Sequence, residues 1–345
     1  AGSHLFGTYI KDATEQKGSY SGAQDIYAGY AMVDLPLSTS LRLVGGLRYE
    51  TTDINVASLD TTKPVGAIDR ADILPSANLV YALSDNMNLR AAYSRTIARP
   101  TFRELAPYES FSFIGDFVYL GNDSLLQMLA QNMDLRWEWF ARPGEIYAVS
   151  AFYKLFDNPI ERVIISGNGA IQFQNVDEGT VYGAEFEVRK KLDQVSSNLR
   201  HFEINGNLTL AHSEVTIPAS ELQYIRAVDS TASDTRPLQG QSPYVINLGL
   251  SYDNSATGTH ANLHYNIFGD RLSEVSLHGV PDIYERARHM LDLTVSQRVM
   301  SGVSVKFKAN NLLDEQSVKS HEFRGDKFYY NRHSPGRSFS FGLSY

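Results

Sequence analysis

The sequence predicts an all-β fold, an antiparallel up-and-down barrel that crosses a membrane. Three observations support this prediction. Apolar and polar residues alternate from one end of the chain to the other, tight turns alternate with long connections, and aromatic residues are abundant. The chain has 20 Tyr and 17 Phe against 2 Trp. This mixture suits strands that have one apolar face and one wet face.

Alternation with a period of two residues is typical of strands rather than helices. Near the C-terminal end, for example, Val303, Val305 and Phe307 alternate with Ser304 and Lys306. The pattern predicts about 13 or 14 strands, and several exceed the roughly 9–11 residues that cross a bilayer. They are 24–37, 41–56, 73–83, 86–98, 131–141, 145–157, 170–190, 200–213, 240–253, 259–271, 286–298, 302–312 and 327–345, with a further candidate at 4–11.

The connections between these strands alternate in length. Tight turns are expected at 38–40, 84–86, 142–144 and 300–302. Long loops are expected at 57–72, 99–130, 214–239, 272–285 and 313–326, and helical spacing competes with strand spacing only at 123–131. Short turns at one end and long loops at the other are typical of outer-membrane barrels.

The polar face carries charges of both signs, which leaves two interpretations open. In a water-soluble sandwich this face is the solvated outside, and in a membrane barrel it is the wet inside. Two packed sheets of so many long strands would leave open edges, whereas closure of one sheet removes them. The barrel is therefore favoured. The charged residues are Arg42, Arg48, Glu50, Arg90, Asp134, Arg136, Glu138, Glu185, Glu187, Arg189, Asp292, Lys306 and Lys308.

Composition excludes several function classes. The 345 residues carry a formal net charge of −8, which argues against a nucleic-acid partner. The absence of cysteine excludes disulfides, thiol catalysis and Cys-bound metals. Mean hydropathy is −0.26, and no apolar run reaches the roughly 18 residues of a membrane-spanning helix. Residues 1–4 lack the features of a signal peptide and are expected to be a vector remnant.

Catalytic chemistry has no support in the sequence. The nine histidines show no HExxH pattern or metal-ligand spacing. Neither GxSxG, GxGxxG nor a P-loop occurs. We therefore predict that the protein is not an enzyme, and that it has no catalytic residues, no metal site and no cofactor.

Several short strings occur in a fixed order along the chain. They are RTIARPTFRELAP (95–107), GNDSL (121–125), FYK (152–154) followed by NPI (158–160), YGAE (182–185), GQSP (240–243) and NNLLD (310–314), before alternating aromatics that end at Tyr345. In this order and spacing they resemble the C-terminal barrel portion of TonB-dependent outer-membrane receptors, particularly iron-transport receptors of Bacteroidetes-like bacteria. The resemblance covers residues 20–345, although the family usually has GNPxL where this chain has GNDSL.

The resemblance implies a barrel of about 22 strands, with an N-terminal plug inside it and a TonB box ahead of the plug. Residues 5–345 would then be the barrel domain, with the plug and the first strands absent. The implied function is uptake of a scarce nutrient, most naturally a ferric siderophore, across the bacterial outer membrane. The implied partners are the TonB complex, the plug, the siderophore and outer-membrane lipid.

Two other functions stay open at this stage. The first is a passive porin-like or adhesive outer-membrane barrel without a plug. The second is a soluble β-sandwich or a barrel enzyme.

Candidate site residues fall into two groups. Charged residues facing the lumen are candidates for contact with the plug, or for a wall network in which they neutralise each other: Arg90, Arg136, Glu138 and Glu185. Loop residues with aromatic or cationic side chains are candidates for ligand binding, or for packing within the loops: Phe111, Phe113, Tyr119, Tyr224 and Arg226.

Two local features have backbone explanations. Gly183 is expected to leave room on the lumen face where a larger side chain would collide with its neighbours. The junction of Arg99 with Pro100 is expected to end a strand, because proline cannot donate to the strand ladder and restricts the residue before it.

Overall fold

The computed structural model describes residues 18–110, 118–167, 169–277, 280–300 and 302–345. Residues 1–4 and the candidate strand at 4–11 lie outside these described residues. The described chain is dominated by antiparallel β-strands, as the alternation predicts.

The strands and helices follow one another along the chain in this order: β1 (Tyr20–Pro36), β2 (Leu41–Ser58), β3 (Val65–Ser84), β4 (Met87–Ala98), α1 (Phe102–Leu105), β5 (Glu109–Ser110), β6 (Tyr119–Leu120), β7 (Met128–Arg142), β8 (Glu145–Asp157), β9 (Ile160–Ile164), β10 (Ile171–Asn175), β11 (Glu178–Lys191), β12 (Phe202–Thr216), α2 (Ala219–Val228), β13 (Thr235–Arg236), β14 (Tyr244–Asn254), β15 (Thr259–Phe268), β16 (Arg271–Ser276), β17 (Ile283–Glu285), β18 (Arg288–Met300), β19 (Val303–Asn310), β20 (Ser317–Phe323), β21 (Asp326–His333) and β22 (Ser338–Ser344). Two short 3-10 turns, Leu192–Gln194 and Ser197–Leu199, lie between β11 and β12.

The main sheet is an up-and-down meander of 14 strands. Its order is β1-β2-β3-β4-β7-β8-β11-β12-β14-β15-β18-β19-β22, and the short β13 pairs with β12 beside this path. Each of these strands runs antiparallel to its neighbours, which confirms the predicted topology and strand number. Strands β1 and β22 form the two edges of the sheet, and no pairing joins them within the described residues.

The outer face of the main sheet is apolar and exposed. Across β7, β8, β11 and β12, the register places Leu135, Ala151, Ala184 and Leu210 in one row. Leu135 is 50% exposed and Leu210 is 45% exposed. Water-soluble proteins rarely expose a continuous apolar surface that extends across several strands. This face is therefore suited to contact with lipid.

Aromatic side chains form two levels on the same face. Trp139 stacks on Tyr147 with ring centroids 5.3 Å apart, and Tyr153 stacks on Tyr182 at 6.4 Å. Tyr147 and Tyr153 are six residues apart on β8, which corresponds to about 20 Å along a strand. Two such levels match the aromatic girdles at the boundaries of a bilayer.

The helices are short. α1 begins at the N-cap Thr101, whose side chain accepts a hydrogen bond from the Glu104 backbone while the Glu104 carboxylate accepts one from the Thr101 backbone. α2 has ten residues. No described helix combines the length and the apolar character needed to cross a bilayer.

The long connections fold into a second sheet, which the sequence analysis missed. This loop sheet has eight strands in the order β21-β20-β17-β16-β9-β10-β6-β5. Two predicted strands are therefore wrong as single units. The segment 170–190 divides into β10 in the loop sheet and β11 in the main sheet, and 327–345 divides into β21 and β22 in the same way. The second break had a signal that the prediction overlooked, since Pro335 and Gly336 lie between β21 and β22 and Gly336 has φ +73°. At the first break the apolar spacing changes phase between Phe173 and Val176.

Two further sequence predictions need correction. The predicted loop at 57–72 is mostly strand, because β2 continues to Ser58 and β3 begins at Val65, where Ile68 on the inner face is buried. The helical spacing at 123–131 does not produce a helix, since this segment contains a turn followed by the start of β7.

The lumen-face role of Gly183 generates a stability prediction. An added Cβ would lie 2.1 Å from the carbonyl oxygen of Leu210 and 2.7 Å from the ring of Phe152. We expect Gly183→Ala to lower the free energy of unfolding by about 1–3 kcal/mol, because the backbone of β12 must shift. Denaturant unfolding in detergent micelles measures this change.

The matched control is Gly29→Ala in β1, where no atom lies within 4 Å of an added Cβ. An unfolding midpoint of Gly183→Ala that coincides with that of Gly29→Ala would contradict the packing argument.

Candidate functional site

A continuous ionic network lies on the inner face of β4, β7 and β11. Arg90 Nε donates to Glu138 Oε2 at 2.8 Å, and Arg136 Nε donates to the other oxygen of Glu138 at 2.8 Å. Arg136 Nη2 continues the network to Glu187 Oε2 at 2.7 Å. Arg90 lies directly opposite Arg136 in the strand register. Two guanidinium groups on directly opposite residues repel each other, and the carboxylate of Glu138, which both bind, offsets this repulsion.

The structure joins three of the four lumen candidates and separates the fourth. Arg90, Arg136 and Glu138 belong to one network, with Glu138 only 7% exposed. Glu185 lies outside this network and accepts a hydrogen bond from Thr209 Oγ1 at 3.4 Å. Ion pairs within the wall therefore neutralise most of the charge of Arg90, Arg136 and Glu138.

A cavity of about 710 Å³ opens above this network on the inner face. Arg90, Arg136 and Glu185 line it together with Asp134 and Lys154. No ion pair joins Asp134 or Lys154 to another described residue within 4 Å. These two side chains and Glu185 therefore present charge toward the lumen that the wall does not neutralise.

The described parts of the connection from β4 to β7 fold inward over β2 and β3, and we call residues 99–110 and 118–127 the inner strap. β4 ends at Ala98, as the Arg99–Pro100 junction predicts. Arg99 Nε donates to Thr52 Oγ1 at 2.9 Å, and the Arg99 guanidinium also pairs with Glu50. At the other end of the inner strap, Gln127 Nε2 donates to Asp72 Oδ2 at 2.7 Å.

Apolar packing completes this attachment. Leu105 and Leu125 of the inner strap are buried against Ile54 and Ile68 of β2 and β3. Gly66 makes the approach possible, because a Cβ at that position would lie 2.9 Å from the carbonyl oxygen of Leu105. The string RTIARPTFRELAP therefore encodes an element fixed to the inner wall.

Buried ionic clusters that sequence reasoning missed join the loop sheet to its neighbours. Arg236 of β13 pairs with Glu161 of β9 and Glu221 of α2, and all three side chains are at most 5% exposed. Glu274 of β16 is also buried and pairs with Arg162 and Lys319. The partners within each cluster lie far apart in the sequence, so no local sequence pattern predicts that they pair. Glu161 and Arg236, for example, are 75 residues apart.

The predicted ligand-binding residues occupy separate elements. Tyr119 lies in β6 of the loop sheet, while Tyr224 and Arg226 lie on α2. Tyr224 is 53% exposed, and Arg226 Nε donates to the carbonyl oxygen of Ala232 at 3.3 Å. Phe111 and Phe113 fall outside the described residues. Among residues 18–110 and the other described ranges, no group of His, Asp and Glu side chains has the arrangement of a metal site.

Comparison with protein families identifies the chain. The family model "TonB dependent receptor-like, beta-barrel" matches residues 4–312. The chain belongs to the TonB-dependent receptor family. Members of this family are non-enzymatic transport proteins of the bacterial outer membrane, which confirms the predicted class and location of this receptor. The interpretation as a soluble sandwich or a barrel enzyme is therefore wrong.

Among the solved structures that share this fold are three receptors for iron complexes. The ferric-catecholate import receptor Fiu from E. coli K12 has a TM-score of 0.65 and 14% identity, covering 96% of this chain and 46% of its own. The ferric yersiniabactin uptake receptor FyuA from Yersinia pestis has a TM-score of 0.63 and 12% identity, covering 94% and 46%. The ferric enterobactin receptor PfeA (Q482A mutant) from Pseudomonas aeruginosa, in complex with enterobactin, has a TM-score of 0.60 and 17% identity, covering 93% and 45%.

The receptor chain thus spans less than half the length of each of these structures. A search of curated proteins gives no significant match.

The inner ionic network of the receptor generates a second stability prediction. In Glu138→Gln the two guanidinium groups of Arg90 and Arg136 remain opposite each other without the carboxylate between them. We expect a loss of about 1–3 kcal/mol in the free energy of unfolding, measured by denaturant titration in micelles.

Glu185→Gln serves as the matched control, because it removes one carboxylate from the same face without breaking an ion pair. We expect its unfolding curve to overlap that of the unsubstituted receptor within about 0.5 kcal/mol. Equal destabilisation by both substitutions would show that the network itself contributes nothing.

Proposed function

We propose that this receptor takes up a ferric siderophore across the outer membrane with energy supplied by the TonB complex. The observation that carries the proposal is the main sheet itself. It has a charged inner face, an apolar outer face and folded loops at one end, and it shares its fold with ferric-siderophore receptors over more than nine-tenths of its length.

The proposal includes a larger barrel that encloses a plug. Strands β1 and β22 leave two edges of the main sheet without a partner among the described residues. Unpaired backbone groups cannot remain in contact with lipid, so further strands complete the barrel between these edges. Residues 5–345 are then part of the barrel domain, and TonB acts through a region that precedes it. The charges of Asp134, Lys154 and Glu185 face the lumen where a plug would lie.

The ligand would meet the loop sheet first. α2 presents the exposed ring of Tyr224 and the guanidinium of Arg226 on the side of the long loops. An aromatic ring and a cation are suited to an anionic chelate that contains aromatic groups, since the ring can stack and the cation can pair.

Uptake of radioactive iron tests the function directly. The full-length gene product would be expressed in cells that lack their own siderophore receptors, and cell-associated ⁵⁵Fe would be measured with ferric catecholates. We expect accumulation that stops when TonB is deleted or when the inner membrane is uncoupled. Uptake that persists in both cases would support the passive porin-like barrel instead.

Ligand contact by α2 generates a third prediction. We expect Arg226→Gln to raise the apparent dissociation constant for an anionic ferric siderophore about tenfold, because a charge-assisted contact is lost. Equilibrium binding of ⁵⁵Fe-siderophore to intact cells measures it. Tyr224→Ala should weaken binding in the same direction.

Arg200→Gln is the matched control, since it removes an exposed arginine from the β11–β12 connection at the other end of the barrel. Unchanged affinity in Arg226→Gln, at normal surface expression, would rule out α2 as a ligand contact and leave the uptake function itself untouched.

A further inference from the structure

α2 is attached to the loop sheet through a buried arginine that serves two carboxylates. Arg236 Nη2 donates to Glu161 Oε1 at 2.5 Å and to Glu221 Oε2 at 3.3 Å, while Arg236 Nη1 pairs with the other oxygen of Glu221. Glu221 is the one buried residue of α2. Gln174 Nε2 adds a hydrogen bond to Glu161 Oε1 at 3.0 Å. One guanidinium therefore links β9, β13 and α2.

A third carboxylate acts on the same cluster. Asp282 accepts a hydrogen bond from the backbone N–H of Ser276 at 2.9 Å and interacts electrostatically with Arg236, Glu221 and Glu161. It also lines a cavity of about 430 Å³ that lies between α2 and the β20–β21 hairpin. Asp282 thus borders both the ionic cluster and the space beneath α2.

The cluster has an excess of negative charge when all three carboxylates are ionised. Tyr284 of β17, Arg286 and Asp270 also interact with this cluster, and Arg286 is already paired with Asp270 and Glu322. The charged residues that line the cavity with Asp282 are Asp229 at the end of α2 and Glu322 and Arg324 of the β20–β21 hairpin. Within the described chain, the buried Glu161 Oε2 and Arg236 Nε have no hydrogen-bond partner. The attachment is therefore sensitive to the charge of any one carboxylate.

Apolar burial contributes little to the attachment of α2. Most of its side chains are exposed, and among them are Tyr224 at 53% and Val228 at 59%. Leu222 and Ile225 are only half-buried. Because burial of apolar area is small, the ionic cluster makes the main contribution to the position of this helix.

We propose that the cluster of Glu161, Glu221, Arg236 and Asp282 is a latch that acid tightens, so that protonation of Asp282 fixes α2 against the loop sheet. Loss of one negative charge relieves the repulsion around Arg236 while the two direct ion pairs remain. The latch controls how rigidly Tyr224 and Arg226 are presented, and its behaviour can be measured without any ligand.

The direction of the pH effect follows from burial. Burial raises the pKa of Asp282 from 3.8 to about 6, against the opposing effects of the Ser276 hydrogen bond and Arg236, and burial also raises the pKa of Glu161. An acid whose pKa is higher in the attached state stabilises that state below its free pKa, and this contribution is lost as the pH rises through the higher value. α2 is therefore held more tightly at pH 5 than at pH 7.5.

Hydrogen–deuterium exchange of the complete chain in detergent micelles tests the latch. The readout is the protection factor of the α2 amides, corrected for the pH dependence of chemical exchange. We expect protection to be higher at pH 5 than at pH 7.5 by up to about tenfold, the limit reached if release of α2 returned the pKa of Asp282 from about 6 to the free value of 3.8. Equal protection at both pH values would overturn the proposal.

Two variants isolate Asp282. Asp282→Asn keeps an oxygen for the Ser276 N–H but carries no charge, so α2 should stay near the higher level of protection and lose most of its response to pH, with Glu161 left as the remaining buried acid of raised pKa. Asp229→Asn alters an exposed acid lining the same cavity, whose pKa is lowered by hydrogen bonds from Thr231, and it should retain the pH response of the unsubstituted chain. Retention of the response in Asp282→Asn, or its loss in Asp229→Asn, would contradict the assignment.

Discussion

Hydrogen bonding between neighbouring antiparallel strands is the interaction on which the rest of this structure depends. In a bilayer there is no water to satisfy a free N–H or carbonyl group, so every strand needs a neighbour on each side. That requirement imposes the meander of the main sheet, and the meander fixes which side chains face lipid and which face the lumen. Because successive side chains of a strand point to opposite faces, Leu135 of β7 lies on the outer face and its neighbour Arg136 on the inner face.

Once the inner face is fixed, its charges have to be accommodated. Arg90 and Arg136 are directly opposite each other, and the geometry is stable because Glu138 binds both. The wall is therefore largely neutral along this row, while Asp134, Lys154 and Glu185 leave charge directed into the lumen. Near the long-loop end, the charge of Arg99 in the inner strap is likewise neutralised by a carboxylate of the wall. Arg99 pairs with Glu50 and donates a hydrogen bond to Thr52.

The loops form a second level of structure above this wall. Segments from the β4–β7, β8–β11, β15–β18 and β19–β22 connections meet in the loop sheet, and β13 and α2 of the β12–β14 connection are joined to it through Arg236. This arrangement gives the outer surface a defined shape. The loop region also contains several buried carboxylates. Glu161 and Glu221 pair with Arg236, and Glu274 pairs with Arg162.

The sequence by itself determined the strands of the main sheet, their order and their faces, because alternation is local and every hairpin is formed by neighbours in the chain. It also located Gly183 and the end of β4 through local backbone constraints. Only the tertiary structure decided that 170–190 and 327–345 change sheets, that the inner strap folds over β2 and β3, and that Arg236 meets Glu161 and Glu221. These features depend on contacts between distant loops, and such contacts leave no periodic pattern along the chain.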